Sequence, residues 1–168
     1  SKTVDAEYEI FDFENGTLET NKKTLTVGAV KNSVVFDLNV PFICSEYDKK
    51  RTGIAVRLYE NSALIQQKAV LFCRENELHL PKAKLKTAFE ETADGLNVTV
   101  SSDKYARLVK VESSKSTLPF SDNFFDLLPG QKKTVTIKKD TSISTTELRN
   151  SITTYSLSDI PFSNNKLD

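Results

Sequence analysis

The chain has no methionine, no tryptophan and one histidine in 168 residues. His79 stands with only two cysteines, Cys44 and Cys73, and no Cys-x-x-Cys spacing. That leaves no zinc-type ligand set, so no metal and no cofactor are expected. No run approaches the roughly 20 apolar residues of a membrane-spanning helix. Neither charge sign is in excess. Lys plus Arg number 23 and Asp plus Glu number 23, for a formal net charge of zero. Nucleic-acid binders carry a basic surplus, so that class of partner is set aside. Gly and Pro, five each, are too few for a low-complexity linker. Ser1 to Val4 shows no charged-then-apolar leader, and no methionine begins the chain. We therefore expect a fragment of a larger polypeptide. Its localisation is left open, with a cytoplasmic parent as the default.

What is present favours β structure. Ser and Thr total 33, with ten Phe and five Tyr. Thr, Phe, Tyr and Val suit a pleated, half-buried surface. The dominant pattern is period-2 alternation, the mark of half-buried strands. It runs through Leu25, Val27 and Ala29, then Val34, Phe36, Leu38 and Val40, and then Ile54, Val56 and Leu58. It returns at Leu96, Val98 and Val100, and at Val135 and Ile137. Asn15-Gly16, Asp94-Gly95 and Pro129-Gly130 supply turn chemistry between runs. In Tyr105 to Val111 the apolar parity slips between Leu108 and Val109, which predicts a β-bulge. Helical signals are poor. Thr145 to Ile152, capped by Thr145 or Thr146 with Glu147 early, allows one turn.

The segment Glu75 to Thr87 divides the chain. It reads as the last strand of one sandwich running through a short tether into the first strand of the next, with the boundary near Lys84. The expected fold class is all-β, with two immunoglobulin-like β-sandwich domains in tandem over residues 1–84 and 85–168. About seven strand-like runs fall in the second domain, enough for such a sandwich. Five or six fall in the first, which is expected to lack strands at its N-terminus.

The residues that could carry chemistry have bland readings. Cys44 and Cys73 end apolar runs and pack as free thiols, although an inter-sheet disulfide is the alternative. His79 occupies the polar position of Leu78-His79-Leu80 and faces solvent. Asn76-Glu77 has the form of a glycosidase acid/base pair. That chemistry needs a second carboxylate about 5 Å away and a barrel of about 250 residues, and nothing here alternates strand with helix. Glu90-Glu91, and Asp122 with Asp126, are pairs in sequence only, without the spacing of a calcium loop. Asn15-Gly16-Thr17 and Asn97-Val98-Thr99 have the form of glycosylation acceptors. Lys49-Lys50, Lys132-Lys133 and Lys138-Lys139 read as solvated strand ends.

The most informative stretch is Phe120 to Gln131, FSDNFFDLLPGQ. Ser121, Asp122 and Asn123 can bond their own backbone in an Asx-type turn. Phe124, Phe125, Leu127 and Leu128 are too many large apolar groups for an exposed loop. Pro129-Gly130 turns the chain into the strand at Val135 to Ile137. Phe125 and Leu127 share parity and point inward, with Phe120 anchoring the other side. This string resembles the F-S-D-N-x-F-D-L-x-P-G-E hallmark in the C-terminal immunoglobulin-like domain of family 2 β-mannosidases. It departs at Gln131, where Glu is usual. Tyr8 to Leu18, Phe72 to Leu85 and Tyr105 to Val111 resemble other segments of the same two domains, more weakly. Related exo-glucosaminidases tend to carry Trp at the Phe120 position.

The resemblance implies a parent that removes terminal non-reducing β-D-mannose with retention, using two barrel glutamates and no cofactor. Neither glutamate lies in this chain, so no catalytic residue is carried over. The corner residues Phe120, Asp122, Asn123, Phe125, Leu127, Pro129 and Gly130 are expected to be structural. The implied partner is an upstream catalytic barrel of the same polypeptide, with a homo-oligomer contact as a further role. Two alternatives stand beside this reading. One is a carbohydrate-binding or adhesin-type sandwich, which would display exposed aromatics. The other is the accessory domains of a different family 2 glycosidase.

Overall fold

In a computed structural model, residues 1–28, 34–139 and 141–160 are described. They form two compact units that divide between His79 and Leu80, five residues before the expected boundary. None of their helices is long and apolar enough to cross a membrane.

The first unit is built on β1 (Lys2–Asp12), β2 (Gly16–Val27), β3 (Thr52–Glu60) and β4 (Ala63–Leu71), with a short helix α1 (Val40–Glu46). The strands form one antiparallel sheet in the order β2-β1-β3-β4. Alternation sorts their side chains. Tyr8 lies opposite Val56, and Ile10 opposite Ile54. Phe36, Leu38, Tyr47, Phe72 and Ile43 of α1 pack on that face. The Tyr8 and Phe36 rings meet edge to face at 5.0 Å. The opposite face carries a charged cluster alongside the buried Phe11 and Ala55. The Arg57 guanidinium bonds Glu7 at 2.7 Å and Glu9 at 2.6 Å, and its Nε donates to Gln67. Burial opposes the charge on Arg57, yet the two carboxylates hold its pKa above the ordinary value.

Two segments, 34–40 and 75–84, depart from expectation. Residues 34–39 are not a strand, and Val40 opens a helix. Phe36 and Leu38 do turn to the core, but without a ladder. Asn39 caps the helix by accepting from the Phe42 amide, and Pro41 sits in its first turn, where the missing N–H costs nothing. Among the described residues the strands of this unit form a single sheet with a coil-and-helix cover, where an incomplete sandwich was expected. Ala29, the end of an alternating run, lies outside them. Glu75–Glu77 is a 3-10 turn, and residues 78–84 are extended coil rather than a last strand.

The second unit is a sandwich. One sheet joins β5 (Leu85–Thr92), β6 (Gly95–Ser102) and β9 (Lys132–Lys138). The other joins β7 (Ala106–Ser113), β8 (Phe125–Leu127) and β10 (Ile152–Tyr155) in the order β10-β7-β8. Leu96, Val98, Val100, Val135 and Ile137 of the first sheet meet Val109, Val111, Phe125 and Leu127 of the second. Each such side chain contributes about 1.5–3 kcal/mol on burial. Helix α2 (Thr145–Ser151) adds Leu148 to this core. Ser144, not Thr145 or Thr146, caps it, and Glu147 completes a reciprocal capping box. Gly95 is required by close approach, since a Cβ there would lie 2.1 Å from the Ile137 carbonyl oxygen.

The parity slip in β7 is a real bulge. Ala106 pairs with Leu127 and Val109 with Phe125, so Arg107 and Leu108 together oppose Asp126. Leu108 takes a left-handed backbone, φ 50°, and its side chain turns outward.

Candidate functional site

The stretch from Phe120 to Gln131 carries the chain from one sheet of the sandwich to the other. At its start, Phe120 forms an isolated bridge with Ile137 beside β9. The Ser121 amide donates to the Thr136 carbonyl at 2.8 Å, and Ser121 Oγ accepts from the Thr136 amide at 2.9 Å. Two residues later the partner is β7. Asn123 Oδ1 accepts from the Val111 amide, and Asn123 Nδ2 donates to the Val111 carbonyl, both at 2.8 Å. One carboxamide thus completes a backbone bridge where the chain has no strand of its own. The segment also bonds its own backbone as expected, since Asp122 Oδ1 accepts from the Asn123 amide and Asn123 Oδ1 from the Phe124 amide, but Ser121 and Asn123 reach neighbouring strands as well. Asp122 accepts from the Asn123 amide and pairs with Lys133 on β9. The Lys133 bond, backed by the Asn123 amide, outweighs partial burial and holds the Asp122 carboxyl below its ordinary range.

The phenylalanines part company here. Phe124 adopts φ 57° and is 59% exposed, which corrects its expected burial. Phe125 and Leu127 are 8% and 1% exposed and belong to the core. Lys133 Nζ lies 4.8 Å from the Phe125 ring centre. Phe120 is half-buried against the same core.

Asp126 was overlooked as a structural residue. Its Oδ1 accepts from the Leu108 amide at 2.9 Å, at the bulge itself. Its Oδ2 accepts from the Tyr105 hydroxyl at 2.8 Å and from Arg107 at 3.2 Å. Burial, then the Asp126 charge, pushes the Tyr105 hydroxyl far above the ordinary tyrosine value. A signal existed in the sequence, since an acid on the polar parity of Phe125-Asp126-Leu127 lies opposite the slip in Tyr105 to Val111.

The exit is bonded equally closely. Pro129 and Gly130 make the turn, with Gly130 at φ 76°. The Gly130 amide donates to the Ser102 carbonyl at 2.9 Å, and the Ser102 amide to the Gln131 carbonyl. Gln131 Oε1 accepts from the Leu128 amide at 3.1 Å. A glutamate carboxylate can accept the same bond, which explains why Gln is tolerated there.

The other candidates do not assemble into a site. Glu77 accepts from the Arg74 amide and closes its own turn. Glu90 bonds Asn97, and Glu91 accepts from Thr145 of α2. His79 is exposed. Cys44 and Cys73 are free and half-buried. Among the described residues no group of three His, Cys, Asp or Glu is placed to hold a metal ion.

Comparison with known proteins agrees with this geometry. Residues 80–160 match the family model of the mannosidase Ig-fold domain. The structure resembles the β-D-mannosidase of Dictyoglomus thermophilum, with a TM-score of 0.66 and 17% identity over 93% of this chain. It also resembles the exo-chitosanase of Amycolatopsis orientalis, with a TM-score of 0.52 and 17% identity over 93% of this chain. This chain spans 18% and 24% of those two proteins. No curated protein matches it. Residues 80–160 thus have the immunoglobulin-like fold of the domain model that they match, in an all-β chain.

Proposed function

We propose that this chain is a non-catalytic accessory region of a β-mannosidase, bracing a catalytic barrel carried elsewhere in the same polypeptide. The observation behind the reading is the corner at residues 120–131. Its string resembles that of family 2 β-mannosidases, it lies within the matched Ig-fold domain, and its polar side chains bond inside the domain. Asp122, Asn123 and Asp126 each take up backbone or side-chain donors of neighbouring strands, from Lys133, Val111 and Leu108. Hydrolysis with retention needs two carboxyl groups about 5 Å apart across a sugar, whereas Glu77, Glu90, Glu91, Asp122 and Asp126 are engaged in turns and in contacts with neighbouring strands and α2. The parent would supply that pair from its barrel and release terminal β-D-mannose.

The reading is tested by incubating the purified chain with an aryl β-mannoside, beside a titration with mannose and Ca²⁺ followed by denaturant melts. We expect no aryl release above the buffer blank and no change in midpoint. Release abolished by Glu77→Gln would make the chain an enzyme. A midpoint that rises with mannose would make it a sugar-binding module instead.

A further inference from the structure

We propose that the Asn15–Gly16 pair at the tip of the β1–β2 hairpin is a covalent modification site, where the backbone converts Asn15 to an aspartyl or isoaspartyl residue at a rate set by Asp12. Asn15 is exposed, and the residue after it has no side chain. Gly16 follows the turn and opens β2 at φ 85°, a backbone conformation that a residue without a side chain occupies easily. The Gly16 nitrogen, after losing its proton to solvent base, attacks Asn15 Cγ. The new N–C bond closes a five-membered imide, the bond to Nδ2 breaks, and ammonia leaves with the proton it needs. Water then opens the imide at either carbonyl. The net change is one water consumed and one ammonia released.

Four other described asparagines, Asn39, Asn61, Asn97 and Asn123, are placed less well. Asn97 sits in the central strand β6 with its carboxamide bonded to Glu90 and Thr136. Asn123 is held at both ends by Val111. Asn39 caps α1. Asn61 is exposed in a tight turn, but Ser62 follows it, and a side chain there crowds the attack.

Asp12 restrains the reaction. Its Oδ1 accepts from the Glu14 amide, the Asn15 amide and Asn15 Nδ2, each at 2.9 Å. The last bond tethers the departing amide nitrogen, and ring closure must break it. Conversion also carries a structural consequence. It places a new carboxylate beside Asp12 and Glu14, which already share Arg51 at 3.4 and 3.8 Å. The isoaspartyl product adds a main-chain methylene next to the Asp12–Gly16 pair that closes the ladder.

The test is peptide mass spectrometry on the full chain, incubated at several pH values from neutral to mildly alkaline. The amide-to-acid mass gain is followed at Asn15 and at Asn61, Asn97 and Asn123 in the same molecule. We expect Asn15 to convert several-fold faster than any of these, faster as pH rises, and several-fold faster again in Asp12→Ala. Should Asp12→Ala fail to fold, Asp12→Asn keeps an acceptor for the turn amides and is expected to convert at an intermediate rate. Conversion at Asn15 no faster than at Asn61 in the wild type overturns the site. Equal rates in the wild type and the folded Asp12 variant overturn the restraint.

Discussion

Replacing Asp126 by alanine should unfold the second unit far more readily than its half-exposed position suggests. Three donors converge on this carboxylate, from Tyr105, Leu108 and Arg107. They contribute unequally. Leu108 is 37% exposed, so water can replace the carboxylate at its amide. Tyr105 is 1% exposed, and its hydroxyl would lose an ionised acceptor inside the fold. A hydrogen bond to a charged group is worth about 1.5–3 kcal/mol net. The Arg107–Asp126 pair is only 18% exposed on each side, and breaking such a pair by removing one partner costs about 3–5 kcal/mol. We therefore expect Asp126→Ala to lose about 3–5 kcal/mol. At about 4–8 °C per kcal/mol for a domain of this size, Tm falls by more than about 12 °C. Asp126→Asn retains an acceptor for the Leu108 amide and should lose about 1–2 kcal/mol. Denaturant melts of both variants, with Tyr105→Phe closing a double-mutant cycle, measure this directly. A loss below about 0.5 kcal/mol for Asp126→Ala, the range of an ordinary surface substitution, would refute the assignment of Asp126 as the clamp of the bulge.

The adjacent phenylalanines should behave oppositely. Phe125→Ala should cost about 3–5 kcal/mol, a large part of a small domain's about 5–15 kcal/mol, whereas Phe124→Ala should change the melting midpoint little. Gly95→Ala should destabilise the second unit, because its Cβ would meet the backbone of β9, and a thermal melt matching wild type would contradict that geometry. Asp122 has a folded pKa below its ordinary value. The stability it contributes is present above the unfolded carboxylate value of about 3.9 and is lost as pH falls through the lower folded value. Acid melts of Lys133→Ala should therefore show a shallower decline across that window than wild type, and identical slopes would count against the pair.

The second unit was largely legible because its central strands alternate cleanly. Leu96, Val98 and Val100, with Val135 and Ile137, showed a buried face in sequence, and that face is the core. The bulge was legible for the same reason, since an extra residue shifts the parity of everything after it. The first unit was harder to read. Val34, Phe36, Leu38 and Val40 alternate like a strand, yet Phe36 and Leu38 cover a sheet from an extended coil. Periodicity reports which side chains are buried, not whether the backbone finds a ladder. The helix after them was announced by Asn39 and Pro41, a cap and a first-turn proline, which the apolar pattern outweighed. Phe124 was misplaced because composition cannot distinguish two neighbouring phenylalanines. Only the left-handed backbone at Phe124 shows which one faces solvent. Asp126 was missed because its partners lie on another strand, a relation that local spacing does not carry.

The most direct test of the central claim is the activity of the polypeptide encoded by the whole reading frame that contains this sequence. It should be assayed with aryl β-mannoside and aryl β-glucosaminide side by side. The account predicts a longer product that hydrolyses the β-mannoside in preference. It further predicts that the Asp126→Ala substitution at the corner lowers that protein's thermal stability while leaving its preference between the two substrates unchanged. A product that turns over neither substrate, or that prefers the β-glucosaminide, would contradict it.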